Sequence, residues 1–207
     1  MLQMPDIYKD KKVCLLGCGK SLEKYNIDFN NYDIVVGINR IYKTSLLNKI
    51  NILYYSFGQG DRSSIKDMFQ ILLNQKNFYT FIGCPAGHRK KPPGLFSPDK
   101  GSKSKSLIDV KKILDEINFC NNKNFYYFHS NVKIKPLPLA GMTAVSHIIN
   151  SEASFIDMFG FDFYTHGYTE SLKDFHINHK KYHNIENNKK FLKNLINKHP
   201  EKIKWNI

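Results

Sequence analysis

The sequence is poor in arginine, tryptophan and paired cysteine, and each shortage closes off a class of protein. Only Arg40, Arg62 and Arg89 are arginines among 31 basic residues, so the net charge of +13 is written almost wholly in lysine. Nucleic-acid readers lean on the guanidinium fork for base edges and phosphates, and the expectation is therefore no nucleic-acid partner. Cys14, Cys18, Cys84 and Cys120 contain no C-x-x-C pair. That spacing excludes a zinc ribbon and a disulfide frame and predicts reduced thiols in a cytoplasmic protein. No apolar run approaches the roughly 18 residues of a membrane helix, and MLQMPDIYKDKK lacks the apolar centre of a signal peptide. Three nucleotide and metal motifs are also absent. Leu22 stands where G-x-G-x-x-G needs its third glycine, the spacing G-x-x-x-x-G-K-[ST] does not occur, and there is no D-x-D carboxylate pair.

What is present is organised around residues 12–42. Val13 to Leu16 is a short apolar run without alternation, as expected of a strand covered on both faces. Gly17-Cys18-Gly19-Lys20-Ser21-Leu22 then turns the chain, with Ser21 as the candidate N-cap of a short helix. Two glycines allow close backbone approach, and free N–H groups at a helix start favour an anion. A second buried run, 33–38, ends at Asn39-Arg40. Further strands are predicted over 50–57, 78–82, 125–128, 132–134 and 155–159. Helices are predicted over 64–74 (capped by Ser63), 107–117, from Pro136 through 150, and 184–198. The alternation of strands with helices predicts a single α/β domain over 1–207, a doubly wound, mostly parallel, Rossmann-like sheet.

Two stretches stand apart. Residues 84–105 hold four prolines, three glycines and a cluster of lysines, a composition that predicts a long basic loop, either a lid over an anionic substrate or plain surface. Residues 165–184 are polar and carry His166, His176, His179 and His183. His179 and His183 lack the glutamate of H-E-x-x-H and no cysteine lies near them, so no metal site is expected. A histidine just before a helix start, as His183 is, can be held rigidly with its pKa near neutrality, which suits a general base.

Two blocks, VCLLGCGKSL followed by YDIVVGINRIY, and LPLAGMTAVSHIINSEASFIDMFGFDFY, resemble the large and small motifs of sialyltransferases of bacterial family 42 and animal-type family 29. The resemblance implies a GT-A variant of the Rossmann-like fold. It also implies an inverting, metal-independent transfer of a CMP-activated acidic sugar, sialic acid or a relative, to a glycan or glycolipid acceptor. By the same resemblance Gly17, Gly19 and Ser21 hold the CMP moiety. Asn39 and Ser56 contact the nucleotide or sugar, and Gly141, Thr143 and Asp162 line the pocket. Tyr164, with Tyr168, faces the phosphate leaving group, and His183, with His179 as its rival, is the base. No cofactor is implied beyond the donor substrate. The chain departs from the family pattern at Leu139-Ala140, where a Thr or Ser is usual, at Ser56, which replaces an asparagine, and in the three-residue spacing of His183 and Glu186. The remaining alternatives are a nucleotide- or sugar-binding protein of the same fold without transferase activity, and a pterin pyrophosphokinase-like enzyme. The positive charge would also suit a peripheral position on the inner face of an anionic membrane.

Overall fold

The computed structural model describes residues 6–57, 62–85, 110–127, 132–135, 138–163, 165–172 and 184–207. Among the described residues the strands are β1 (Lys12–Leu16), β2 (Ile34–Ile38), β3 (Ile52–Phe57), β4 (Thr80–Pro85), β5 (Asn124–Tyr127), β6 (Phe155–Phe159) and β7 (Ile203–Trp205). They form one sheet in the order β5-β4-β3-β2-β1-β6-β7. Every pairing is parallel. Among the described residues the α-helices are α1 (Arg62–Leu73), α2 (Val110–Glu116), α3 (Phe119–Asn122), α4 (Ala140–Asn150) and α5 (Ile185–Lys198).

The unbroken apolar runs of β1 and β2 have the cause expected of them: both faces of the sheet are covered. Alternate side chains of a strand point to opposite faces. Val13 and Leu15 therefore join the core under α4 and α5, whereas Cys14 and Leu16 join the core under α1 and α2. In α1, Ile65, Met68, Phe69 and Leu72 are buried at helical spacing, the stripe that predicted the helix.

Several local expectations change. Ser21 does not cap a helix; Gly19 is the N-cap of a 3-10 turn, Lys20–Lys24, and Ser21 is buried inside it. Ser63 lies within α1 rather than ahead of it. Residues 132–134 form no strand: Ile134 and Val132 pack onto the core as irregular chain, and β5 already makes the sheet edge. Helix α4 begins at Ala140, with Leu139 as its N-cap, and Pro136 and Leu137 lie outside the described residues. Cys84 and Pro85 end β4, and the rest of the basic loop lies outside the described residues. No described helix is long and apolar enough to cross a membrane.

Strand order reverses at β1: β2 to β5 extend to one side of it, β6 and β7 to the other. Loops leaving the C-terminal ends of strands at such a switch point diverge, and ligands of open α/β sheets bind there.

Candidate functional site

The turn after β1 and the turn after β6 are built against each other. The N–H of Gly17 donates to Phe159 O at 2.8 Å and that of Gly19 to Gly160 O at 2.9 Å. The N–H of Ser21 donates to the buried carboxylate of Asp162 at 3.0 Å. Glycine is required by this contact rather than by conformation. A Cβ on Gly17 would lie 2.4 Å from Gly160 O, and one on Gly19 would lie 2.2 Å from Asp162 Oδ1. The N–H groups of Gly17, Gly19, Lys20, Ser21 and Leu22, expected to be free for an anion, are thus spent inside the chain.

Residues 165–172 continue from Asp162 as a strap over the same turn. Gly19 and Tyr168 form an antiparallel bridge. Lys20 N–H donates to Gly167 O at 3.1 Å and Thr169 N–H to Cys18 O at 3.1 Å. Tyr168 is thereby fixed beside the first glycine turn. The hydroxyls of Ser21 and Thr169 are buried without a hydrogen-bond partner among the described residues. Such hydroxyls are rare in folded proteins.

The turn that carries Asp162 is strained and buttressed. Phe163 sits at φ +53, in the left-handed region that a bulky residue seldom adopts. Four contacts hold it there. Thr165 donates from both N–H and Oγ1 to Asp162 O, at 3.0 and 2.6 Å. Trp205 of β7 donates from Nε1 to Phe161 O at 3.1 Å, and its ring meets Phe163 edge-on at 5.6 Å.

Asn39 and Ser56 are brought together on the other side of the rim. Asn39 has a left-handed φ of +50, which asparagine tolerates. Its Oδ1 accepts from Ser56 N–H at 2.9 Å, tying the end of β2 to the end of β3. Cys18 Sγ donates to Ile38 O at 3.2 Å. Burial pushes this thiol up to about 12, against the opposing influence of Arg40, so it stays protonated at neutral pH.

Arg40 is the residue that motif reading passed over. Half-buried at the end of β2, it opposes the burial-driven rise of Cys18, Tyr42 and Tyr55, which places its charge among all three. The only earlier signal was its position directly after Asn39 at a strand end.

Gly141 and Thr143 open α4 at the same edge, both buried. The close approach permitted by Gly141 is taken by the chain itself, since a Cβ there would lie 2.3 Å from the Phe161 ring. Gly17, Gly19, Ser21, Asn39, Ser56, Gly141, Thr143, Asp162 and Tyr168 therefore sit along one rim of the sheet. Tyr164, His179 and His183 lie outside the described residues.

No protein-family model and no curated protein sequence matches this chain. Among solved structures, it is similar to the sialyltransferase CstII from Campylobacter jejuni in complex with a substrate analogue, cytidine-5'-monophosphate. The identity is 16% and the TM-score 0.56, over 95% of this chain and 80% of that one. It is similar also to the same enzyme with CMP-3FNeuAc, at 17% identity and a TM-score of 0.56, over 94% of this chain and 81% of that one. The α/β fold with its parallel sheet is shared with those structures.

Proposed function

We propose that this protein is an inverting, metal-independent glycosyltransferase that moves a CMP-activated acidic sugar to a glycan or glycolipid acceptor. The observation that carries the proposal is the bond between its two motif blocks. Asp162, from the block after β6, holds Ser21, from the block after β1, at the switch point of the sheet. The shared fold with a sialyltransferase whose structure is in complex with CMP supports the choice of nucleotide.

The chain's own groups divide the work. Asn39, its carbonyl engaged by Ser56, presents an amide to the nucleotide or sugar. Arg40 supplies positive charge to a donor whose phosphate and carboxylate are both anionic. Tyr164 and Tyr168 offer hydroxyls to the departing phosphate, a preorganised stabilisation of developing charge that needs no bridging ion. His183 removes the acceptor hydroxyl proton as the acceptor oxygen bonds to the anomeric carbon. The bond from that carbon to the phosphate oxygen breaks on the opposite face, and CMP leaves as the anion. His179 is the alternative base. The net charge of +13 suits an acceptor held at an anionic membrane surface.

A nucleotide-binding protein without transfer is the second reading. It is favoured by Leu139 and Ala140, which are buried in the core at the start of α4 where the family presents a hydroxyl.

The test is CMP release from CMP-sialic acid, with UDP- and GDP-sugars as controls. Release from the CMP donor alone is expected, with His183→Ala lowering it about 10²–10⁴-fold, the range of a positioned base. Release unaffected by both His183→Ala and His179→Ala would remove the assigned base. Binding of CMP with no release would leave the second reading.

A further inference from the structure

One side chain joins the starts of the two helices that cover the same face of the sheet. Asn188, on the first turns of α5, is 0% exposed, an unusual place for an amide. Its Oδ1 accepts from the N–H of Leu139, the N-cap residue of α4, at 2.9 Å. Its Nδ2 donates to Asn184 O at 2.8 Å. Asn184 is in turn the N-cap of α5, its side chain accepting from Asn187 N–H at 2.9 Å. Asn187 Nδ2 adds a bond to Lys135 O at 3.0 Å, in the chain that leads to α4.

Ordinary helix capping does not need this arrangement. Leu139 has no side-chain cap to offer, and its own N–H is buried, so it must find an acceptor within the fold. An isolated solution would be a polar residue in α4 itself. Here the acceptor comes from α5, and the same amide reaches back to the carbonyl of the α5 N-cap. The two helix starts are thereby held in register by one rigid planar group.

Each start leads directly to a group used above. Two residues beyond Leu139, Gly141 packs on Phe161, whose neighbour Asp162 holds Ser21. Immediately before Asn184 in the chain comes His183. We infer that Asn188 is a positioning residue, setting the acceptor-side start of α5 against the donor-side start of α4. The inference rests on the transferase reading. Misplacement of a reacting group by about 1 Å costs on the order of a hundredfold in rate, so the function of such a joint lies in turnover rather than in nucleotide affinity.

The experiment uses the full chain with Asn188→Ala and Asn188→Asp. The second keeps an acceptor for Leu139 and turns the other oxygen against Asn184 O. Ile113→Ala, on the opposite face of the sheet, serves as a control of comparable thermal destabilisation. CMP affinity is measured by calorimetry, and kcat by hydrolysis of CMP-sialic acid with water as acceptor. Both Asn188 variants are expected to lose about ten- to a hundredfold in kcat while the Kd for CMP stays within about threefold. The control is expected to keep its kcat. Loss of CMP affinity in step with kcat, or an equal kcat loss in the control, would overturn the positioning role. Hydrogen exchange distinguishes this from failure of the transferase reading. A parent protein that neither binds CMP nor releases it refutes that reading. Even so, Asn188→Ala must accelerate exchange in peptides covering 138–143 and 184–188 and leave 12–17 unchanged. Unchanged exchange in the first two peptides would overturn the joint itself.

Discussion

Gly19 has no room for one added methyl group. Its Cβ would fall 2.2 Å from Asp162 Oδ1 and 2.5 Å from Asp162 Cγ, and the carboxylate cannot retreat without releasing Ser21. Gly19→Ala is expected to destabilise the fold by about 1–3 kcal/mol, as overpacking does, and to weaken CMP binding, both read by thermal shift with and without CMP. Unaltered stability would mean that the two turns are less firmly coupled than their geometry implies. A second residue sets a pH limit far from that rim. His147, in the last turn of α4, shares a short hydrogen bond between its Nδ1 and the Tyr54 hydroxyl, which also accepts from Tyr8 at 3.1 Å. Burial lowers the His147 pKa from 6.5 to about 4. Between those values the unfolded chain binds a proton that the folded protein refuses. Stability is therefore intact above pH 6.5 and falls as the pH drops towards 4, by on the order of 2–3 kcal/mol. Urea unfolding at pH 7 and pH 4.5 should show a smaller difference in His147→Gln than in the parent. An equal difference would mean that this histidine takes up its proton without unfolding. At this scale the sequence was legible in part. It singled out Asn39 and Ser56 but not their bond to each other, because a side-chain contact to a backbone N–H 17 positions away leaves no local pattern. His147 went unnoticed because it reads as one more residue of an apolar helix.

The elements that the sequence announced, β1 to β6 with α1, α2, α4 and α5, are those with a periodic stripe or a run of apolar and aromatic residues. Those it concealed are short. β7 has only three residues, with Lys204 exposed between Ile203 and the half-buried Trp205, too few for alternation to stand out. Ser21 promised a cap by composition, yet its backbone N–H is claimed by Asp162, 141 positions away, and Gly19 takes the capping place. The concealed strand matters to the site, since Trp205 buttresses the strained turn at Phe163. Trp205→Phe keeps much of the ring contact and removes the Nε1 bond to Phe161 O. A loss of about 1–2 kcal/mol in urea unfolding is expected, the size of one hydrogen bond with its carbonyl left unpaired. A still weaker affinity for CMP than this loss explains is expected too, because Asp162 shares the turn. A variant as stable as the parent would mean that Thr165 alone holds the turn.

Across the whole molecule, the alternation of strands and helices foretold an α/β sheet, and the strand order supplied what the alternation could not: the reversal at β1 that brings the two motif blocks together. The glycine turn had suggested backbone N–H groups waiting for a phosphate. In the folded chain those groups are bonded within the chain, mostly to the turn after β6 and the strap that follows it, and the positive side chains beside the rim are Arg40 with Lys20 and Lys43 on the adjoining turns. The proposal therefore stands or falls on nucleotide selectivity. Calorimetry of CMP against UMP, GDP and NAD, with EDTA present, tests it most directly. CMP should bind at least about tenfold more tightly than UMP, a difference of about 1.4 kcal/mol, with EDTA making no difference. Failure to bind CMP, or binding of a diphosphate nucleotide only when Mg²⁺ is restored, would contradict the proposed donor and leave the fold without it.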